Sequence, residues 1–204
     1  MGQMENDLDE QPLAPVVEPA VQPPKERPIW LGVTIEVLQT LILAVALYFL
    51  IDAVVARVRV ENVSMKPTLV AGEFVLVNRL SYRFGDFERG DVVVFHYPPH
   101  PEEDYIKRVI GLPGDTVTIR DGQVKVNESV LQEDYISGPP QYSGAWQVPE
   151  GQLFVLGDNR NQSSDSHSWG FVPMNNVVGK ALAIYWPLTE FRILEEHTAV
   201  KAAN

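Results

Sequence analysis

A chain of 204 residues with a formal charge of -11 has room for one ordinary domain and an appendage, but not for two large domains. It contains no cysteine, which excludes a disulfide framework, a thiolate nucleophile and every Cys-ligated zinc or iron–sulfur centre. The acidic balance excludes a protein that coats nucleic acid, since phosphate binding needs a basic face.

Residues 1–28 hold six acids against Lys25 and Arg27, and six of the sixteen prolines, with no aromatic residue and no periodicity. Such a composition cannot bury enough apolar surface to offset the entropy of ordering, and it predicts a disordered acidic tail. From Ile29 the character changes, and residues 29–57 are expected to form a transmembrane helix. As a helix, residues 31–56 would rise about 39 Å at 1.5 Å per residue, more than the hydrocarbon core of about 30 Å. Glu36, Gln39, Thr40 and Asp52 fall toward the ends, where side chains reach water. The unbroken apolar centre, 41–51, is only eleven residues, which keeps a buried or amphipathic helix as the alternative. A cleaved signal peptide fits less well, because no short basic region precedes the segment. Charge does not orient the span: Lys25 and Arg27 on one side are matched by Arg57 and Arg59 on the other.

Beyond Val60 the chain reads as β structure. Short runs rich in β-branched and aromatic residues, at 73–78, 91–97, 105–110, 116–120, 123–127, 152–156 and 181–186, are set apart by Gly, Pro and Asp. Between 116–120 and 123–127, Asp121-Gly122 supplies the two positive-φ positions of a type I′ hairpin turn. With no helical stripe to force parallel crossovers, a mainly β, antiparallel domain is expected. Residues 137–150, where Gly, Pro, Ser and Tyr replace alternation, are expected to be a less ordered connection.

With Cys absent, a nucleophile would be Ser, Thr, Lys or a carboxylate. The Gly-x-Ser-x-Gly elbow, the His-Glu-x-x-His zinc motif and the phosphate loop are missing. His96 and His100 have an i, i+4 spacing suited to a metal on a helix, but Pro98, Pro99 and Pro101 forbid one, so a solvated proline-rich loop and no metal are expected. Two stretches carry more. Ser64 sits in a short turn whose exit is stiffened by Pro67. In the strand around 105–110, alternation places Lys107 with Tyr105 and Val109, and Arg108 on the opposite face with Ile106 and Ile110. On an inward face the lysine would lose hydration in its charged form, which moves its pKa from about 10.4 toward about 8, whereas a strand lysine taken alone is more often one that snorkels at the surface. A third stretch, GDNRNQSSDSHSWG over 157–170, is polar and turn-rich with no hydrophobic logic of its own.

In this order, SMKPT, YIKRVIGLPGD and GDNRNQSSDSHSWG after an apolar anchor resemble the bacterial type I signal peptidases, over about two thirds of the chain. The resemblance implies a membrane-anchored serine endopeptidase with a Ser–Lys dyad that cuts exported preproteins after Ala-x-Ala-like sites. It matches Ser64 to the nucleophile, Lys107 to the general base and Ser163 to a hydroxyl that orients the lysine. Asp158, Asn159 and Arg160 match the turn of the third motif, and Asp165 an aspartate that supports the site. Two positions depart from the family pattern. Asn62 stands where a hydroxyl residue often supplies the second oxyanion donor. His167 stands where an arginine often pairs with the aspartate, and it is expected to be a structural partner of Asp165.

The resemblance further implies a catalytic domain over 58–189, a C-terminal tail over 190–204, a cytoplasmic N-terminal tail and a domain on the outer face of the plasma membrane. The expected partners are preprotein signal peptides, the lipid bilayer and the secretion machinery, with no nucleic acid and no cofactor. Small S1 and S3 pockets are expected near Val60 or Ile110. Two alternatives accompany this reading: another Ser–Lys peptidase, such as a self-cleaving repressor, and a membrane-anchored β domain that binds partners without catalysis.

Overall fold

The structure, a computed structural model, describes residues 29–194. The expected acidic tail and most of the expected C-terminal tail lie outside the described residues.

The apolar segment forms one helix, α1 (Ile29–Val54), and its stretch Gly32–Val54 is long and apolar enough to cross a membrane. Thr34 and Thr40 donate their hydroxyls to the carbonyls of Trp30 and Glu36, one turn back, at 2.7 and 2.8 Å. In hydrocarbon a free hydroxyl would go unpaired, so this internal pairing suits a lipid-facing helix. The helix stops three residues short of the expected 57, because the β-branched run that follows enters a sheet.

That run is β1 (Val55–Arg59), which pairs in antiparallel register with β2 (Phe74–Asn78), Val55 facing Asn78 and Arg59 facing Phe74. After the single turn α2 (Ser81–Phe84) come β3 (Val92–Tyr97) and β4 (His100–Gly111). The expected proline-rich loop is therefore a correction: Pro98 and Pro99 make a tight hairpin connection, and His100 already belongs to β4. Proline is tolerated in the turn and early in a strand, where its missing N–H is not needed. His96 and His100 meet carboxylates of their own hairpin, Asp104 at 2.8 Å and Glu102 at 3.5 Å.

A second hairpin joins β5 (Thr116–Arg120) to β6 (Gln123–Val126), with Asp121 and Gly122 at φ of 50° and 75°, as the type I′ reading requires. The chain continues through β7 (Ser129–Val130), β8 (Gly144–Gln147) and β9 (Gln152–Leu156). The expected loose connection over 137–150 is corrected by β8, which pairs along β5 from Gly144 opposite Ile119 to Gln147 opposite Thr116. Trp146 drives this, packing its ring 5.0 Å from that of Phe154. The last elements are α3 (Ser166–Trp169), β10 (Val172–Pro173), β11 (Val177–Trp186) and β12 (Arg192–Ile193).

Every strand pair is antiparallel, as expected of a mainly β domain. The larger sheet runs β1-β2-β11-β3-β4-β9-β10, with β12 added to β11, and the smaller runs β7-β6-β5-β8. Ile110, Phe154 and Leu156 of the larger sheet share one core cluster with Val117, Ile119, Val124 and Val126 of the smaller. A second cluster gathers Ala56, Val60, Met65, Leu69, Val75, Val77 and Ile184 on β1, β2 and β11 and the loop between the first two strands. That loop carries the first motif, so its course is fixed by the core.

Candidate active site

The loop after β1 is closed at its base by Val60 N–H donating to Glu73 O and Gly72 N–H donating to Val60 O, both at 2.8 Å. Met65 and Leu69 plunge from it into the core, and Leu69 N–H donates to Met65 O at 2.9 Å. Ser64, next to the Met65 anchor, cannot drift, and its side chain is held against β4.

There Lys107 lies opposite Val93 of β3 and is only 4% exposed. Its Nζ stands 3.0 Å from Ser64 Oγ and donates to Ile106 O at 3.0 Å, with the Tyr105 ring centroid 5.1 Å away. Burial lowers its pKa to about 8, against the upward pull of the Asp165 and Asp158 carboxylates. A hydroxyl in contact with an amine that loses its proton near neutrality is the arrangement a nucleophile and its base require.

The third motif surrounds this pair. Asn159 N–H donates to Ser64 O at 2.9 Å, and its amide donates to Val63 O at 3.2 Å. Asp158 receives Arg108 Nε at 2.9 Å, Arg108 Nη2 at 2.7 Å and Thr68 Oγ1 at 2.5 Å, so one carboxylate ties together residues from all three motifs. Arg160, buried, donates to both oxygens of Glu133 at 2.8 and 2.6 Å. Asp165, shut off from solvent, accepts Gly157 N–H at 2.9 Å and pairs with His167 Nδ1 at 2.6 Å. The His167 ring stacks on Tyr142, centroids 3.9 Å apart.

Ser163 differs from expectation in its contacts. Its Oγ is buried with no hydrogen-bond partner among the described residues, and Lys107 Nζ meets Ser64 Oγ and Ile106 O instead. It lies against Gly157, where a Cβ would come within 2.2 Å of Ser163 Oγ and 2.5 Å of Ser64 O. Only glycine allows this approach. Asn62 is exposed and lines, with Val60, Ser64 and Lys107, a groove of about 490 Å³. Val60 fits the expected pocket wall, whereas Ile110 does not, being sealed in the core between the sheets. Thr68, Arg108 and Glu133 were missed as site residues. Thr68 and Arg108 lie within the first and second motifs, but nothing near Glu133 signals its partner, 27 residues on.

A serine and a buried amine meet in an open groove, and it is comparison with known proteins that makes the protein a hydrolase of the peptidase class. The family described as "Signal peptidase, peptidase S26" matches residues 34–186, and the chain belongs to it. It is 41% identical to a signal peptidase I of Leptolyngbya laminosa over 87% of this chain and 90% of that one. It is 43% identical to a probable signal peptidase I-1 of a Synechocystis strain over 79% and 87%. A crystal structure of a signal peptidase I from Enterococcus faecalis aligns at 34% identity and a TM-score of 0.44, covering 47% of this chain and 96% of that one. Together with these relatives, α1 points to membrane anchoring.

Proposed function

We propose that the protein is a signal peptidase I that cleaves signal peptides from exported preproteins with Ser64 as nucleophile and Lys107 as general base. The observation that carries this reading is the 3.0 Å contact between a buried amine and Ser64 Oγ at the groove. Neutral Lys107 accepts the Ser64 proton as Oγ attacks the scissile carbonyl carbon. The resulting ammonium returns that proton to the leaving amine as the C–N bond breaks, leaving an ester on Ser64. Lys107 then deprotonates a water that attacks the ester, and gives the proton back to Ser64 as acid product leaves.

The Ser64 N–H and the Asn62 amide stabilise the oxyanion, the Ile106 carbonyl rather than Ser163 orients the lysine, and Asp158, Asn159, Arg160 and Asp165 hold the loop that frames the pair. The substrate is read as an extended segment with small residues before the cut, in an Ala-x-Ala-like pattern. The chain spans the plasma membrane once, with its domain, 58–189, on the outer face and the substrate arriving from the secretion machinery. Tethering enzyme and substrate in one bilayer raises their encounter frequency.

Processing of a preprotein in detergent by the intact chain, by Ser64→Ala and by Lys107→Ala tests the assignment. Both variants are expected to lose cleavage while remaining folded. Equal processing by Ser64→Ala would overturn it.

A further inference from the structure

A second groove, of about 540 Å³, opens near the end of the β1–β2 ladder where Val55 faces Asn78, beside the last turn of α1. Ala53, the penultimate residue of the helix, forms part of its wall, together with Arg79, Tyr82, Arg83 and Asn175. Two arginines thus line one cavity where the apolar segment ends.

Neither is neutralised. Arg79 Nη1 donates to the carbonyl of Asp52 at 3.2 Å, and neither the rest of its guanidinium nor the Arg83 side chain makes a hydrogen bond or ion pair among the described residues. The neighbouring acids are engaged elsewhere: Asp52 pairs with Arg57 at 3.4 Å, and Asp91 pairs with Lys180 at 2.7 Å and accepts Tyr82 OH at 2.8 Å. Asp86 and Glu88, on the loop after α2, ion-pair with neither arginine. Beside Arg83, Phe84 is 86% exposed, the most exposed large apolar side chain of the described residues. A bare aromatic next to unpaired arginines at the end of a membrane span is poorly suited to bulk water and well suited to the interface, where acyl chains meet phosphates.

The geometry points to this groove as a binding site for the headgroup phosphate of an anionic phospholipid. It rests on the reading that α1 crosses a bilayer. The arginines grip the phosphate oxygens through forked N–H donors, the Asn175 amide adds a donor to the polar side of the cavity, and Phe84 enters the acyl region. A phosphate is preferred over a protein carboxylate partner because the cavity adjoins the span's end, where headgroups are the most abundant anions.

The full chain, purified in detergent micelles, is offered phosphatidylglycerol and phosphatidylcholine in equal amounts, and lipid retention is read by native mass spectrometry. The wild type is expected to retain phosphatidylglycerol by about thirtyfold over phosphatidylcholine, the equivalent of two arginines at about 1 kcal/mol each. Arg83→Glu is expected to abolish the preference. Because Arg79 also ties down the end of α1, Arg83→Gln is the milder second variant, expected to lower the preference to about fivefold. Preprotein cleavage in detergent stays at the wild-type level in both, so loss of lipid preference is separable from failure of the catalytic reading. Equal retention of the two lipids by the wild type, an undiminished preference in Arg83→Glu, or displacement of the lipid by an equal concentration of soluble glycerol phosphate would each overturn the site. A wild-type chain that fails to partition into vesicles would instead remove the membrane reading and the site with it.

Discussion

Arg108 grips Asp158 through two parallel hydrogen bonds, 2.9 and 2.7 Å long, with both side chains closed off from solvent. The pair joins β4 to the third motif. The backbone carrying Arg108 also carries Lys107, and the segment carrying Asp158 holds Ser64 O through Asn159 N–H. Removing one partner leaves a buried uncompensated charge, a loss of about 3–5 kcal/mol. Asp158→Asn is therefore expected to lower the unfolding free energy by that order in urea titration, and to reduce cleavage further than stability alone explains. Arg108→Lys restores the charge but not the fork, and is expected to recover only part of either loss. Unchanged urea midpoints in both variants would contradict the account.

The pH dependence follows from Lys107. Its pKa is lowered to about 8 by burial, and in the proposed reaction only the neutral amine can accept the Ser64 proton, so kcat/KM is expected to rise with pH through an apparent pKa near 8. The same shift has a sign for stability. Between about 8 and the ordinary value of 10.5 the unfolded chain binds the proton that the folded chain has released, so the destabilisation from Lys107 is full below pH 8 and fades above it. Lys107→Met is expected to be inactive and more stable than wild type, by up to about 3 kcal/mol at pH 7. That gain shrinks toward pH 10. A gain independent of pH in chemical denaturation would contradict it.

Much of this was legible before any coordinates. Asp121-Gly122 announced its hairpin through backbone chemistry local to two residues, whereas Lys107 stood out only through the three motifs together, since strand alternation alone is met as readily by a lysine that snorkels at the surface. What escaped was set at long range. Arg108 was placed on the correct strand, but its partner lies 50 residues away and is chosen by how β4 and β9 register, which no local pattern encodes. Gly144–Gln147 looked like loop because its alternation is carried by one large ring, Trp146, that packs against Phe154. The prolines of 98–101 excluded a helix, correctly, but were also taken to exclude a strand, which they do not at a hairpin end.

Asp165 gives a way to move the Lys107 titration without touching either reacting group. Its carboxylate raises the lysine's pKa, opposing burial, and its Oδ1 is held by His167 at 2.6 Å. An imidazole can meet Asp165 as a neutral ring, whereas a guanidinium brings a permanent positive charge. His167→Arg is therefore expected to offset Asp165 more fully and shift the rise in kcat/KM to lower pH, by a fraction of a unit. The stack on Tyr142 can be kept by a planar guanidinium. A shift to higher pH would show that Asp165 does not act on Lys107 by charge. Complete loss of cleavage in a folded His167→Ala would instead make the imidazole part of the chemistry.

Asn62 is exposed in the groove beside Ser64, and its side chain makes no hydrogen bond among the described residues, so its amide is free to meet a charge that appears only during reaction. Loss of one oxyanion donor typically costs about 2.7–4 kcal/mol of transition-state stabilisation. Asn62→Ala is expected to lower kcat by about 100- to 1,000-fold with little change in KM, because the donor meets no charge in the ground state. Asn62→Ser, which keeps a donor at that position, is expected to recover most of the rate. If both variants raise KM and leave kcat alone, Asn62 holds substrate and not the oxyanion, and the second donor must come from elsewhere on the loop that carries Ser64.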